Sequence, residues 1–330
     1  MMPLPPSLQN AIQNTFPHLG LNQLIEARKE LSDRYRDLSY NQQFMTTEAQ
    51  RHSYVLTRMP ATFGAISQTL KQIIERDPSF EIKSMLDLGA GPGTAMWAVV
   101  NFFQKIERLT LIEKDSSLIT IGKQLAQQSE DSVIQNAHWI QADLESGLSF
   151  VPHDLVMMSY SIGELNQNYY EELLNRCWES TQKVLIIIEP GTPAGFERIR
   201  YLRKLLLAKG AHILAPCTHH NACPMIEGDW CHFSVRVERT SLHRQLKSGR
   251  MGYEDEKFSY IAVSKSKVEL LRPFCGRVLR HPEKHSGHIK FKLCQDKGLD
   301  FPIISKKMGS LYKKAKKTEW GDLLDHSGEE

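Results

Sequence analysis

A chain of 330 residues with 41% hydrophobic and 24% charged residues can bury a full hydrophobic core, and it is long enough for about two domains. Its net charge is +3, no apolar run approaches the ~20 residues of a membrane-spanning helix, and the opening segment carries neither a basic signal region nor an arginine-rich amphipathic pattern. These features argue against a membrane protein and predict a cytoplasmic one.

Residues 1–80 are expected to form an N-terminal helical module. Apolar residues recur at intervals of three and four in the stretches 21–38 and 63–77, which is the spacing of one face of an α-helix. Pro60 and Pro78 interrupt this pattern, and we expect them to mark helix boundaries.

Residues 81–215 alternate short apolar runs with longer helical stretches. The predicted strands are 84–89, 108–113, 136–143, 153–161 and 183–190. Strands that alternate with helices predict an α/β fold with a parallel, doubly wound sheet. Residues 216–330 are expected to form a cysteine-rich, basic lobe that supplies the last strands of this sheet.

The first predicted strand leads into a glycine-rich loop, Asp87-Leu88-Gly89-Ala90-Gly91-Pro92-Gly93-Thr94. Glycines let the backbone turn tightly and approach a ligand, and the following helix points its free N–H groups toward the same place. Dinucleotide sites have the spacing G-x-G-x-x-G, whereas the third glycine here comes one residue earlier. The D-x-G-x-G-x-G form resembles motif I of the class I S-adenosylmethionine-dependent methyltransferases.

Two acidic residues fit the same cofactor. Glu113 ends the second predicted strand, where such enzymes use a carboxylate to accept hydrogen bonds from the ribose hydroxyls. Asp143 follows the third strand, where a carboxylate contacts the adenine amino group. An NAD site would also need Glu113, so the loop spacing and Asp143 favour S-adenosylmethionine. The predicted cofactor-binding residues are Asp87, Gly89, Gly91, Gly93, Glu113 and Asp143.

The sequence identifies no catalytic residue. After the fourth predicted strand the chain reads SYSIGEL, without the [N/D]-P-P-[Y/F] motif of exocyclic-amine methyltransferases or the cysteine nucleophiles of RNA cytosine-C5 enzymes. Methyl transfer can depend mainly on proximity and alignment, so catalysis stays open. Ser161, Glu164 and Glu189 are expected either to line the pocket or to form turns at strand ends.

Cys217, Cys223 and Cys231 lie in one loop-like stretch that contains proline and glycine. Clustered thiols in a reducing compartment favour a metal site over disulfides. A fourth thiolate would complete a set for zinc or for an iron–sulfur cluster. The remaining candidates for it are Cys177, Cys275 and Cys294. The alternative is a group of buried cysteines that bind no metal.

Positive charge is concentrated in the C-terminal third. Residues 231–330 contain 21 Lys and Arg against 13 Asp and Glu, a net charge of +8, against −5 for the rest. Six of these lysines fall in a stretch with Tyr312 and Trp320 that is predicted to be helical, a composition suited to phosphate contact and base stacking. The predicted RNA-binding residues are Lys306, Lys307, Lys313, Lys314, Lys316 and Lys317. The alternative is a solvated lysine-rich tail.

Eight segments carry a family resemblance that covers most of residues 50–322. They are RMPATFGA (58–65), MLDLGAGPGT (85–94), SIGEL (161–165), IIEPGTP (187–193), APCTHHNACPMIEGDWCHFSVRVER (215–239), EDEKFSYIAVSK (254–265), RHPEKHSGHIKFKLC (280–294) and YKKAKKTEWGD (312–322). They resemble the methyltransferase-like proteins that assemble or accompany the small subunit of the mitochondrial ribosome, with bacterial relatives. The DWCHF and EDEKFSY blocks make the resemblance specific because methyltransferases in general lack them.

The resemblance implies a class I methyltransferase fold, S-adenosylmethionine binding and a [4Fe–4S] cluster, with zinc as the alternative metal. Matched residue by residue, the cluster ligands are Cys217, Cys223, Cys231 and Cys294. Association with the rRNA and proteins of the small subunit is also implied. The opening of this sequence lacks a targeting extension, which suits a bacterial cytoplasmic member.

The resemblance also gives an expected strand order. Residues 258–264 are expected to form a parallel strand and 288–294 to return antiparallel. This order places Cys294 on the face of the sheet opposite the cofactor, with the other three ligands, and Cys275 on the cofactor face.

Three functions are compatible with these patterns. The first is a ribosome-assembly or RNA-binding factor that retains a cofactor pocket and a structural cluster. The second is an active rRNA methyltransferase, and the third is an iron–sulfur redox or sensing protein. The lysine-rich end favours the first two because a redox carrier has no need of a basic lobe.

Overall fold

The structure is a computed structural model that describes residues 2–16, 20–37, 45–247, 251–271 and 275–325. Its helices are α1 (Pro6–Thr15), α2 (Leu21–Asp37), α3 (Glu48–Arg76), α4 (Thr94–Phe102), α5 (Ser116–Ala126), α6 (Ser132–Gln135), α7 (Tyr170–Ser180), α8 (Pro193–Ala208), α9 (Ser241–Leu246) and α10 (Gly309–Lys317). Its strands are β1 (Ser84–Leu88), β2 (Arg108–Glu113), β3 (His138–Gln141), β4 (His153–Ser159), β5 (Thr181–Pro190), β6 (His212–Ala215), β7 (Phe233–Glu238), β8 (Tyr253–Ser264), β9 (Gly276–Val278), β10 (Glu283–Lys284), β11 (His288–Lys290), β12 (Leu293–Gln295), β13 (Gly298–Asp300), β14 (Ile303–Ser305) and β15 (Leu323–Leu324).

Contacts group the chain into two compact units. The first contains the chain up to Gln68, Glu81–Gln182 and Val235–Glu256. The second contains Thr69–Phe80, Lys183–Ser234 and the chain from Lys257 onward. The boundaries of these units differ from those of the three segments expected from the sequence. Each unit combines stretches that are far apart along the chain.

The first unit is built on four parallel strands in the order β3-β2-β1-β4. In β1, Leu86 lies opposite Thr110 of β2 on one side and Val156 of β4 on the other. All five residues of β1 are buried, as expected for a central parallel strand that is covered on both faces. The predicted parallel α/β sheet is therefore confirmed for this part of the chain.

The long helix α3 passes through Pro60. The prediction that Pro60 marks a helix boundary was wrong, although proline removes one backbone hydrogen bond and normally bends or ends a helix. The flanking residues Met59, Ala61 and Phe63 are at most 1% exposed, and tertiary packing of an apolar face supplies most of a helix's stability. Burial thus outweighs the local cost of the proline. The helix ends at Arg76, just before Pro78, as predicted.

The second unit contains strands β5 and β6 with β8 between them, antiparallel to both. Ile187 of β5 lies opposite Ile261 of β8, and Ile213 of β6 lies opposite Val263. The prediction that residues 258–264 form a parallel strand was wrong, because α8 returns the chain to β6 and thereby makes β6 the next strand parallel to β5. An antiparallel strand inserted before the last parallel one distinguishes class I methyltransferases from dinucleotide-binding Rossmann domains. The fold class expected from the sequence is confirmed.

Residues 288–294 do not form a single strand. They contribute β11 to a small sheet of order β10-β11-β14 and β12 to another of order β13-β12-β9-β15. The chain changes sheets at Phe291, whose N–H donates to Pro302, and at Lys292, whose carbonyl accepts from Leu279. Both small sheets and α10 share one apolar core: Val278, Ile289, Phe291, Leu293, Ile304, Leu311, Ala315 and Leu324. The expected antiparallel return strand was therefore wrong, and with it the strand order from which the placement of Cys294 was inferred.

We expect Gly64→Ala to lower the melting temperature, although alanine in a helix interior normally gains about 1 kcal/mol over glycine. A Cβ at Gly64 of α3 would lie 2.4 Å from Cγ1 of Val237, which is fully buried. Overpacking of this kind costs roughly 1–3 kcal/mol. Thermal unfolding of Gly64→Ala, of Gly64→Ala with Val237→Ala, and of Gly252→Ala, where a Cβ meets nothing within 4 Å, measures the effect. A melting temperature raised by Gly64→Ala alone would contradict the packing.

Candidate functional site

A cleft of about 760 Å³ lies in the first unit and is lined by residues that follow the carboxyl ends of β1 to β4. This is where ligands bind in open α/β sheets, and the volume is within the ~300–1,000 Å³ usual for small-molecule sites. Four of the predicted cofactor-binding residues line it: Gly89, Gly91, Glu113 and Asp143.

The three glycines of the glycine-rich loop adopt backbone conformations that other residues disfavour. Gly89, Gly91 and Gly93 have φ values of 71°, 55° and 80°, the left-handed region that side chains disfavour. A Cβ at Gly89 would lie 2.4 Å from Cβ of Ser161, whereas a Cβ at Gly91 would meet no atom within 4 Å. Gly91 therefore presents its backbone to open space at the edge of the cleft. Gly93 is the residue before α4, so the first turn of that helix begins directly after the loop.

Asp87 is a buried carboxylate at the end of β1. It is 1% exposed, and among the described residues neither of its oxygens has a hydrogen-bond partner. Burial, reinforced by the nearby charge of Glu113, raises the pKa of Asp87 to about 8. A buried carboxylate is stable as an anion only when donors or a cation approach it. Among the described residues, no cation or hydrogen-bond donor satisfies the Asp87 carboxyl, and Asp87 is not among the residues that line the cleft.

Glu113 links the end of β2 to the glycine-rich loop. Its Oε2 accepts from the N–H of Gly91, and its Oε1 accepts from the N–H groups of Lys114 and Asp115, each at 2.8 Å. Burial raises the pKa of Glu113, and these backbone bonds partly offset the effect. A carboxylate offers about four lone-pair positions, so one position on Oε2 is left for a ligand hydroxyl.

Asp143 follows β3 and lines the same cleft. Its Oδ1 accepts from the N–H of Glu145 at 3.0 Å, and its Oδ2 accepts from Nζ of Lys114. Burial acts to raise the pKa of Asp143, but these bonds outweigh it and the pKa is lowered. Lys114 also lines the cleft, and the sequence motifs gave no reason to single it out. An adenine amino group that bonds Asp143 would share it with this lysine.

Tyr160, directly after β4, is a strained residue at the cleft. Its φ is 60°, and it is the one described residue other than glycine with a positive φ. Such a conformation costs roughly 1–3 kcal/mol and persists only where surrounding contacts impose it. Here the Tyr160 hydroxyl donates to Glu256 at 2.9 Å, and Arg58 pairs with both oxygens of Glu256 at 3.0 and 3.2 Å. The sequence SYSIGEL gives no indication of this backbone strain at Tyr160.

The three residues suggested for the pocket wall are placed differently. Ser161 and Glu164 line the cleft, and the Ser161 hydroxyl donates to the carbonyl of Leu88 at 2.9 Å. Glu189 belongs to the second unit, where it is 1% exposed and pairs with Arg198 at 2.7 Å. It is therefore part of an ion pair of that unit.

The second unit brings four cysteines to one small cavity: Cys217, Cys223, Cys231 and Cys294. Phe196, Met225 and Leu279 form its apolar wall. Burial, with the neighbouring thiols, raises the pKa values of Cys223, Cys231 and Cys294, the last to about 12. The raised pKa values favour the protonated form of these three thiols near neutral pH.

The other two cysteines lie elsewhere. Cys177 is buried in α7 of the first unit and donates to the sulfur of Met158, while Cys275 is buried just before β9. None of the six forms a disulfide. Within the described part of the chain, no group of three or more His, Cys, Asp or Glu side chains is arranged to hold a metal ion. The four thiols thus border a common cavity without converging on a single point.

The predicted RNA-binding lysines surround the C-terminal helix. Lys306 and Lys307 precede α10, and the other four lie on it; all six are exposed. Leu311 and Ala315 bury the opposite face of α10. Trp320 is engaged internally, since its indole N–H donates to the His232 carbonyl at 3.0 Å and its ring contacts His232 and His281. The lysines are therefore available to a polyanion, while Trp320 serves packing within the unit.

None of the described helices is long and apolar enough to cross a membrane.

A human protein described as "Ribosome assembly protein METTL17, mitochondrial" is 24% identical over 91% of this chain and 67% of its own length. "Rsm22-cox11 tandem protein 2, mitochondrial" of Schizosaccharomyces pombe is 24% identical over 92% of this chain, which spans about half of that relative, 46% of its length. Magnesium protoporphyrin IX methyltransferase from Synechocystis, solved with bound S-adenosylmethionine, is 12% identical over 76% of this chain and 100% of its own, with a TM-score of 0.42.

The family described as "Mitochondrial small ribosomal subunit Rsm22" matches residues 48–325. The match includes the glycine-rich loop, the acidic residues of the cleft, the four cysteines of the cavity and the lysines of α10. Because it extends over most of the sequence, the chain belongs to the Rsm22 family of mitochondrial small ribosomal subunit proteins.

Proposed function

We propose that this protein is an assembly factor of the small ribosomal subunit that binds S-adenosylmethionine in the cleft, holds a [4Fe–4S] cluster at the four cysteines and contacts rRNA through α10. The observation that carries the proposal is that one family match spans all three features. The human relative is itself described as a ribosome assembly protein. Because the cleft and the four-cysteine cavity occur in the same chain, we expect them to act in the same process.

Free acceptor positions at the cleft and beside it support binding of S-adenosylmethionine. Its ammonium group would supply the donor that the oxygens of Asp87 lack, and one ribose hydroxyl would use the remaining acceptor position of Glu113. The adenine amino group would approach Asp143. When bound, S-adenosylmethionine carries a methyl group activated for transfer. The protein's own contribution is to orient the ligand against the glycine-rich loop.

Asp87→Asn is expected to weaken binding of S-adenosylmethionine at least tenfold, because the amide cannot balance an ammonium charge. The same change should stabilise the ligand-free protein, and increasingly so as the pH rises from about 4 to about 8. The unfolded carboxyl loses its proton near pH 4, whereas the folded one keeps it up to its raised pKa of about 8, so wild-type stability falls across this window. Calorimetry and thermal unfolding at several pH values measure both effects.

Glu130→Gln, at an exposed position outside the cleft, serves as the control. Unchanged affinity in Asp87→Asn would exclude the proposed contact.

The four-cysteine cavity fits a thiolate-bound metal centre, because cysteine thiolates are ligands of both zinc and iron–sulfur clusters. The family resemblance favours the cluster over zinc. Cys217, Cys223, Cys231 and Cys294 would hold the cluster, which would stabilise the fold of the second unit.

Protein prepared without oxygen is expected to be brown and to contain about four irons, the number in a [4Fe–4S] cluster. Serine at any one of the four cavity cysteines should abolish the colour and lower the iron content. Cys275→Ser and Cys177→Ser are matched controls, since both positions are buried outside the cavity, and both should keep the iron. Metal analysis that finds stoichiometric zinc and no iron after anaerobic reconstitution would contradict the cluster. Iron loss from Cys275→Ser with retention in Cys294→Ser would contradict the ligand assignment.

Replacing Lys313, Lys314, Lys316 and Lys317 with Gln is expected to weaken binding to small-subunit rRNA and to flatten its salt dependence. Each lysine–phosphate interaction that is removed lowers the slope of log K against log salt by roughly 0.7–0.9. A matched control removes the same charge elsewhere by replacing Lys71, Lys83, Lys105 and Lys123, which are also exposed, with Gln. Equal slopes in the two variants would show that α10 makes no specific RNA contact.

Active methylation of rRNA is the second candidate, and strained Tyr160 at the cleft favours it. Residues held in such conformations concentrate at active sites, and Tyr160 lines the cleft directly after β4. Transfer of labelled methyl groups from S-adenosylmethionine to small-subunit rRNA distinguishes the enzyme from a factor that binds both without transfer.

The cellular location belongs to the same proposal. The relatives are named as mitochondrial, whereas the sequence by itself predicts the cytoplasm. Small ribosomal subunits are assembled in both places, so the proposed function is compatible with either. Fractionation of cells that carry the tagged protein distinguishes them.

A further inference from the structure

Three arginines are buried in the second unit: Arg76, Arg203 and Arg277, which are 2%, 5% and 1% exposed. Among the residues that the structure describes, none of the three pairs with a carboxylate; each donates to oxygens of the main chain or of a neutral side chain. Each also keeps one guanidinium nitrogen without a partner: Nε of Arg76, Nε of Arg203 and Nη2 of Arg277. Three buried positive charges therefore lack a negative counterpart.

The main-chain partners are concentrated in one segment, residues 214–221, which carries Cys217. Arg76 Nη1 donates to the carbonyls of Leu214 at 2.6 Å and Cys217 at 2.9 Å. Arg277 Nε donates to the carbonyl of Pro216 at 2.8 Å.

Arg203 Nη2 donates to the carbonyls of His219 at 3.2 Å and Asn221 at 2.7 Å, within the same segment. The three guanidinium groups thus hold this segment from three different elements: the end of α3, the middle of α8 and strand β9.

Two of the arginines adjoin the cavity itself. Arg203 lines it together with the four cysteines. Arg277 of β9 lies directly opposite Cys294 of β12 in the antiparallel pair, where facing Cβ atoms are about 4.5–5.5 Å apart.

Chemistry identifies the missing counter-charge. An unpaired buried charge costs several kcal/mol, more than carbonyl dipoles usually offset. Four thiolates carry more negative charge than Zn²⁺ or an oxidised four-iron core carries positive charge, so either centre leaves a net negative group in the cavity.

We propose that Arg76, Arg203 and Arg277 form a guanidinium collar that supplies the counter-charge of the metal–thiolate centre and lowers the stability of the second unit until that centre is loaded. This inference rests on the proposed metal site and assigns a role to residues that touch no metal. The collar favours the more negative state of the centre, so in an iron–sulfur cluster it raises the reduction potential. It also couples loading of the centre to the order of segment 214–221.

Arg203→Gln tests the charge, because glutamine retains an N–H donor for the carbonyls of His219 and Asn221. Anaerobically reconstituted wild-type, Arg203→Gln, Arg277→Gln and Arg203→Lys proteins are compared with Arg200→Gln. Arg200 is the matched control, since it lies on the same helix and borders the same cavity but is 41% exposed and pairs with Glu197. The measurements are iron and zinc content, melting temperature with and without metal, and midpoint potential by titration of the electron paramagnetic resonance signal.

In the two collar-to-Gln variants we expect the metal-free protein to melt higher than wild type, the gain in melting temperature on loading to shrink, and the midpoint potential to become more negative. Arg203→Lys and Arg200→Gln should resemble wild type in all three. An unchanged potential together with an unchanged gain on loading in both collar-to-Gln variants would overturn the collar. A wild-type protein that retains neither iron nor zinc would instead refute the proposed metal site.

Discussion

Charge buried without a counter-charge is the constraint on which both units depend. In the first unit, Asp87 lies beneath the surface with no donor to its oxygens. In the second, Arg76, Arg203 and Arg277 are buried with only neutral partners. Each arrangement is unfavourable in the isolated chain. We propose a cationic ligand for the first unit and an anionic centre for the second, and each would relieve this cost.

The fold explains how such groups come to be buried. Asp87 belongs to a central parallel strand that is covered on both faces, so its side chain is buried. Arg277 occupies the middle of the three-residue strand β9, between β12 and β15. In both strands, hydrogen bonds to the neighbouring strands fix the main chain, so the sheet determines the surroundings of the side chain.

When an unfavourable group lies in a binding site, ligand binding changes the stability of the whole protein. Because ligand binding offsets the cost, the bound form gains more stability than the contacts alone would provide. The strain at Tyr160, held by Glu256 and Arg58, is a smaller instance of the same principle in the cleft. For the proposed assembly factor, this coupling would tie the stability of the protein to the binding of its ligands.

The sequence alone determined those features that depend on local spacing and chemistry. The glycine spacing after β1, the acids at the ends of β2 and β3, and the alternation of strands with helices were sufficient to predict the class I methyltransferase fold. The family-specific cysteine blocks were sufficient to predict the family. Helix and strand periodicity is a property of neighbouring residues, so these predictions needed no knowledge of distant contacts.

Only the tertiary structure decided features that arise between residues far apart in the chain. Pro60 stays within α3 because packing outweighs the missing backbone hydrogen bond, and β8 is antiparallel because α8 returns the chain to β6 first. The meeting of Arg277 with Cys294 depends on a strand pair that no spacing rule specifies. The absence of a partner for a buried charge is likewise invisible in a sequence, because burial and pairing are properties of the surroundings and not of the residue itself.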